Sequence, residues 1–302
     1  MKQNNNITNI YSFTKKGFWQ PGIEKPNQDD LFIFTNITNP LNNYYYIGVC
    51  DGHGKFGKEV SSYISTNLLP FLNSNFLEKK INLNQSSFFS ISKIITDTFI
   101  QMNLSLNTNP NIETSYSGST CSSIIFTANR IISINLGDSR CILGKYNIKY
   151  NIWSYQVLTQ DHKPNVEKEK DRIIKQGGKI FRGKDEFGNS VGIKRIWLND
   201  EGDNGLALTR SFGDKILSNV GISCEPEIKE FYLKNEAKFI IIATDGLWEY
   251  ISNKECVDIV KNFYLKKDAK GAINYLIKEA SKRWINEQDI VDDITIILVF
   301  LD

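Results

Sequence analysis

Aspartates recur at the ends of apolar runs in this chain. Asp51 follows Tyr-Tyr-Tyr-Ile-Gly-Val-Cys, Asp245 follows Phe-Ile-Ile-Ile-Ala-Thr, and Asp138 follows Ile-Ile-Ser-Ile-Asn-Leu-Gly. Asp292 and Asp293 stand just before Ile294–Leu301, and Asp29 and Asp30 just before Leu31–Phe34. A carboxylate at the mouth of a core strand is held by rigid backbone. Hard cations such as Mg²⁺ and Mn²⁺ want several oxygens from separate elements in that kind of arrangement. Softer metals lack ligands, because the only histidines are His53 and His162 and no Cys-x-x-Cys occurs. Taken singly, Asp-Gly is more often a turn signal than a metal ligand. Five strand-end sites in one chain weaken that plain reading without removing it. His53 is the second singular residue. Gly52 and Gly54 flank it, giving a turn from which an imidazole can project beside a candidate ligand. With an unperturbed pKa of about 6.5 it is suited to general acid chemistry near neutrality; the plain alternative is a surface or satisfied core histidine.

Strands must position these groups. Short β-branched or aromatic runs predict them at Leu31–Phe34, Tyr44–Cys50, Thr120–Phe126, Ile131–Leu136, Cys141–Leu143, Trp153–Leu158, Phe239–Ala243 and Ile294–Leu301. Apolar residues at helical spacing predict helices over Lys58–Leu72 and Phe88–Leu106. A charged helix over Val166–Gln176 is stopped by Gly177-Gly178. Ser252-Asn-Lys-Glu255 is a capping box opening a helix to about Leu265, and a last helix runs from Asp268 or Ala269 to Trp284. The stretch Gly183–Gly205, rich in Gly, Asp and Asn, reads as an irregular surface excursion. With no repeat and no domain boundary, one α+β domain of mostly antiparallel strands is the simplest expectation.

The composition narrows the function classes. With 302 residues, 41% of them hydrophobic, the chain can bury a large core without staples. Lys and Arg number 36 against 34 acids, a net charge of +2, which argues against a dedicated nucleic-acid binder. The apolar run Ile296–Leu301 is far shorter than the roughly 18 residues of a membrane span. The start, Met-Lys-Gln-Asn-Asn-Asn, has neither a signal-peptide core nor a myristoylation glycine. Five scattered cysteines, Cys50, Cys121, Cys141, Cys224 and Cys256, read as reduced core thiols. The expected setting is a monomer in the cytoplasm or nucleus, with no membrane and no nucleic acid.

In order along the chain come Asp51-Gly-His-Gly54, Ser117-Gly-Ser-Thr120, Asn135-Leu-Gly-Asp-Ser-Arg140, Leu206-Ala-Leu-Thr-Arg-Ser-Phe-Gly-Asp214, Thr244-Asp-Gly-Leu-Trp248 and Asp292-Asp-Ile-Thr295. This ordered set resembles the metal-dependent protein phosphatases of the 2C type. Asn27-Gln-Asp29, Leu158-Thr-Gln-Asp-His-Lys-Pro164 and Glu225-Pro-Glu227 look like the family's lesser motifs. The resemblance runs from about residue 15 to the C-terminus, leaving residues 1–14 as an Asn-rich extension and 15–302 as one catalytic domain. It implies an α+β fold, a central β-sandwich of two antiparallel sheets flanked by α-helices, with two Mg²⁺ or Mn²⁺ ions at one end. Asp51 would bridge both ions and the Gly52 carbonyl would help to hold one. Asp245 and Asp292 would complete that ion's shell, and Asp29 would act mostly through water. The implied reaction is hydrolysis of phosphoserine and phosphothreonine on proteins by a metal-activated water, without a covalent intermediate, His53 protonating the departing oxygen.

Three positions depart from the family pattern. Where its opening motif often carries a phosphate-gripping Arg, this chain has Glu24 followed by Lys25, which offers a point charge without fork geometry. Gln28 stands where many members have Glu. Glu249 replaces an Asp after Trp248, and with Asp138 it could hold a third, weaker ion. Rival readings are weaker. Gly52-His-Gly-Lys-Phe-Gly57-Lys58 fits a phosphate-binding loop until Glu59 replaces the required Ser or Thr. No cysteine has Arg six residues on: those places hold Phe56, Thr127, Asn147, Glu230 and Asn262. The serious alternative is a catalytically weak or inactive member serving as a binding module.

Overall fold

Strand Asn42–His53 sets the plan, because its side chains alternate between two different cores. Ile47 and Val49 enter the layer between two sheets, while Tyr44, Tyr46 and Cys50 face helices. The protein is described by a computed structural model covering residues 7–20, 23–127, 130–184, 187, 189–198 and 205–301.

One sheet has the order Phe212–Gly213, Gly118–Ser119, Asn42–His53, Cys121–Phe126, Arg130–Leu136, Glu227–Tyr232, and Asp29–Asn39 also pairs with Asn42–His53. The other runs Ile7–Lys15, Ile294–Leu301, Ala237–Ala243, Arg140–Asn147, Ile152–Val157. Every pairing between these strands is antiparallel. Between the sheets, Ile47, Val49, Ile124 and Phe126 meet Cys141, Leu143, Ile240, Ile242, Ile297 and Val299. Outside, helices Gly57–Glu78 and Phe88–Asn107 lay Val60, Ile64, Leu68, Ile91, Ile95 and Phe99 on one sheet. Helices Asn253–Tyr264 and Ala269–Gln288 lay Val257, Val260, Ile273, Leu276 and Ala280 on the other. The buried helix faces are apolar, so four layers stack helix, sheet, sheet, helix. This is the α+β architecture expected from the sequence.

Local chemistry sets the helix ends. Ser252 accepts from the Glu255 amide, completing the start of Asn253–Tyr264, and Asp268 does the same for Ala269–Gln288 through Gly271. Gly177, at φ +86°, takes the left-handed turn that stops Glu167–Lys175. Among the described residues, no helix is long and apolar enough to cross a membrane, and the five cysteines are free, four of them buried.

Two expectations need correction. Residues 7–14, read as part of an extension outside the domain, belong to edge strand Ile7–Lys15, paired with Ile294–Leu301 from Ile7↔Leu301 to Lys15↔Ile294. Its polar Asn and Thr hide the strand pattern because an edge strand is only half covered. Residues 1–6 lie outside the described part. The stretch from Gly183 is not irregular: Lys179–Lys184 and Ser190–Trp197 form an antiparallel hairpin, with Phe181 stacked on Trp197 at 5.1 Å. It does lie on the surface, and residues 199–204 fall outside the described part.

Candidate metal centre

The alternation that sends Ile47 and Val49 between the sheets carries on to Asp51, which reaches the open end of that layer. Asp29, on the neighbouring strand, shares its face with Leu31 and Ile33, which also pack between the sheets. Asp29 and Asp51 are direct partners in the register. Two like charges opposite each other destabilise a sheet, so sequence and fold conflict at this point. Asp30 turns the other way, to the Ser62 hydroxyl at 2.8 Å and Lys58 at 3.3 Å.

The second sheet supplies the remaining acids. Strand Ala237–Ala243 ends at Thr244, and Asp245 opens the short helix Asp245–Trp248. Asp292 and Asp293 precede strand Ile294–Leu301. These two divide their work. Asp293 is buried and accepts from the backbone amides of Gly17, at 2.7 Å, and Gln28, at 2.9 Å, tying two loops together. Asp292 remains 40% exposed at the site.

The electrostatics show the convergence. Burial pushes the Asp51 carboxyl well above its ordinary range, and the charges of Asp29, Asp245, Asp292 and Asp138 push it further. Asp245 is raised by burial, then by Asp138 and Asp292, against the pull of Lys163 and a hydrogen bond with Asp51. Asp29 is raised to about 7, chiefly by burial; Asp293 and Asp292 add to this, while hydrogen bonds from Thr295 and Thr244 oppose it. The Thr244 hydroxyl donates to Asp29 Oδ2 at 2.9 Å, whereas Asp29 Oδ1 is buried without a partner among the described residues. A buried carboxylate oxygen left unsatisfied is what an oxygen-liganded cation or its water would complete. The donor set therefore fits a hard divalent ion. Among the described residues no three carboxylates already surround one point, so the structure presents converging charge rather than a finished coordination shell.

Backbone contacts fix the turn bearing Gly52 and His53. The Asp51 amide donates to Thr120 Oγ1 and the Thr120 amide to the Asp51 carbonyl, while the Gly52 amide donates to the Gln28 carbonyl. A Cβ at Gly52 would lie 2.2 Å from the Gly57 carbonyl oxygen, so only glycine passes there. His53 Nε2 meets Asp214 Oδ2 at 2.7 Å, and the Ser211 hydroxyl also donates to that oxygen. Burial lowers the His53 pKa, but the charge and hydrogen bond of Asp214 reverse this and raise it. Nδ1 has no partner among the described residues. A Cβ at Gly118 would fall 2.3 Å from Asp214 Oδ2 and 2.7 Å from His53 Nε2, so glycine here makes room for the pair.

Two expectations look different in place. Lys25, read as a phosphate contact, is buried and donates to Asp292 Oδ1 at 2.7 Å, with Asp293 at 3.2 Å. Burial lowers its pKa, but the two carboxylates more than reverse this and hold it charged. Those two carboxylates are the partners the structure gives it. The Glu24 side chain lies outside the described part. Asp138 and Glu249, the pair considered for a third ion, already share a cation, Lys163, at 3.5 Å and 3.9 Å. Burial raises the Asp138 pKa and Lys163 opposes it.

Sequence reasoning gave no role to Asp214, Lys163, Thr244 or Lys58. Asp214, Lys163 and Thr244 do stand inside family-like motifs, which is the signal that could have found them. A further buried carboxylate has its own set of partners. Glu169 is gripped by the Arg210 fork at 2.6 Å and by the Thr209 hydroxyl at 2.7 Å, with Arg172 beside it. Burial raises its pKa, but these partners win and hold it at about 2. Arg140 similarly grips Asp161 through two nitrogens, at 2.9 and 2.6 Å, and lies over Trp248.

Comparison with known proteins decides the family. The protein phosphatase 2C family model matches residues 20–287. The chain belongs to the protein phosphatase 2C family. It is 32% identical to a probable protein phosphatase 2C 73 of Oryza sativa subsp. japonica, over 93% of this chain and 70% of that protein. A probable protein phosphatase 2C 73 of Arabidopsis thaliana is 30% identical, over 98% of this chain and 79% of that one. A serine-threonine phosphatase 2C structure from Toxoplasma gondii has the same fold, with a TM-score of 0.79 at 21% identity, covering 97% of this chain and 94% of the other.

Proposed function

We propose that this phosphatase-family chain hydrolyses phosphoserine and phosphothreonine esters of proteins in a metal-dependent reaction. The observation that carries the reading is the meeting of Asp29 and Asp51 from one sheet with Asp245 and Asp292 from the other, at a mouth where burial and neighbouring carboxylates oppose the charges of Asp29, Asp51 and Asp245. Two Mg²⁺ or Mn²⁺ ions would be held by Asp51, the Gly52 carbonyl, Asp245 and Asp292, with Asp29 acting through water. When bound, the ions supply positive charge for the phosphoryl oxygens and a water acidic enough to attack at neutral pH.

The chain's own groups do the rest. Asp293 and Lys25 hold Asp292 in place from behind. Asp214 accepts a hydrogen bond from Nε2–H of His53, leaving Nδ1–H of the imidazolium as the donor to the departing Ser or Thr oxygen. The supporting experiment is hydrolysis of a phosphoseryl peptide with Mn²⁺ and with EDTA, for the wild type and Asp245→Asn. Turnover in Mn²⁺ alone, lost in the variant, is expected. Ordinary turnover in EDTA would overturn the metal reading, and Mn²⁺ binding without turnover would make the chain a binding module.

A further inference from the structure

A cavity of about 290 Å³ opens beside the acids, between the hairpin of Lys179–Lys184 with Ser190–Trp197 and the segment bearing Lys163. Its lining includes Lys163, Pro164, Glu249, Arg182, Ile193 and Lys194. Lys163 and Glu249 face each other at 3.9 Å, so their charges offset. Arg182 and Lys194 do not share that fate. They are direct cross-strand partners in the hairpin, both exposed, and neither has an ion-pair partner among the described residues. Opposed like charges weaken a hairpin, and nothing within the described chain relieves them. An anion in the cavity would, and Arg offers it a two-pronged contact. Ile193, 53% exposed on the same wall, supplies an apolar surface for the neighbouring peptide chain.

We propose that this groove binds anionic side chains flanking the phosphoresidue, so that acidic stretches of phosphoprotein are the favoured substrates. The inference rests on the phosphatase reading above and deepens it. Its position fits, since Lys163 and Glu249 belong both to the groove and to the rim of the acid cluster, with Asp138 3.5 Å from Lys163. The shared chemistry is a carboxylate or a second phosphate close to the scissile one.

The test uses phosphoserine peptides flanked by neutral residues, by Asp, or by a second phosphoserine, assayed with Mn²⁺. The Asp-flanked peptide should show a KM lower than the neutral one on the order of fivefold, the scale of two exposed ion pairs. A larger gain with the second phosphoserine assigns the groove to phosphate, an equal or smaller one to carboxylate. Raising salt from about 0.05 to about 0.5 M should shrink the preference, because exposed charges are screened. Arg182→Gln combined with Lys194→Gln should bring the ratio of KM values close to one. Equal KM values in the wild type, or a preference that survives the double substitution, overturns the proposal. Aryl phosphate hydrolysis by the wild type separates the two readings. If it proceeds while the peptides are indistinguishable, the groove proposal alone fails. If it does not proceed, the phosphatase reading fails, and binding of the same peptides by fluorescence anisotropy decides the groove.

Discussion

Asp51 carries a charge that both burial and its neighbours resist, and this has an energetic consequence that activity assays alone would miss. A carboxyl whose folded pKa is raised supports the fold below its unfolded pKa of about 3.9 and loses that support as pH rises through the folded value. At pH 8 with EDTA, Asp51→Asn should therefore stabilise the protein, on the order of 1–3 kcal/mol, while abolishing turnover in Mn²⁺. Thermal unfolding of both proteins checks this; a variant no more stable than the wild type counts against the repulsion. His53 gives the complementary prediction. His53→Gln should slow phosphoserine hydrolysis by about 10²-fold and spare aryl phosphates, whose leaving groups need little protonation. Equal losses would mean that His53 holds the turn and donates no proton. At this scale the sequence announces position more clearly than partnership. Strand-end aspartates are visible as such, whereas Lys25 finds Asp292 across 267 positions and His53 finds Asp214 across 161, which no local spacing encodes.

Elements with their own periodicity and caps are legible in the amino-acid sequence alone. The capping box at Ser252, the glycine stop after Lys175 and the uniformly buried Ile294–Leu301 all match their expected places. Edge strand Ile7–Lys15 and the exposed strand Ser190–Trp197 are not legible, since covering one face or neither erases the alternation. The loop from Thr159 to Pro164 yields a prediction of its own. His162 is buried, accepts from the Gly137 amide through Nδ1 at 3.1 Å, and has Nε2 buried without a partner among the described residues. Burial first, then the charge of Arg210, lowers its pKa to about 3. The folded protein thus keeps it neutral while the unfolded chain takes a proton below about pH 6.5, so stability falls as pH drops through that window. Between pH 7 and pH 5 the wild type should lose about 2 kcal/mol more than His162→Asn, measured by urea unfolding at each pH. Parallel losses would show that the imidazole titrates freely.

Across the whole molecule, two sheets contribute to one site, so whatever loosens their packing separates Asp29 and Asp51 from Asp245 and Asp292. Removing residues 1–15 tests this, since it strips the edge partner of Ile294–Leu301 and the contact from Lys15 to Ser281 at 2.6 Å. The midpoint of thermal unfolding should fall on the order of 10 °C, with weaker Mn²⁺ binding by calorimetry. A midpoint within about 2 °C of the wild type would make the strand an ornament. Its pairing also has a history. Thr14 touches Thr295 at 2.8 Å across 281 positions, so on the ribosome the first strand waits roughly 15–55 s for its mate at roughly 5–20 residues per second. Until the end of that interval the nascent chain lacks Asp292, and the full set of four acids cannot be assembled. The acid cluster can therefore close only after the strand that follows Asp292 has emerged.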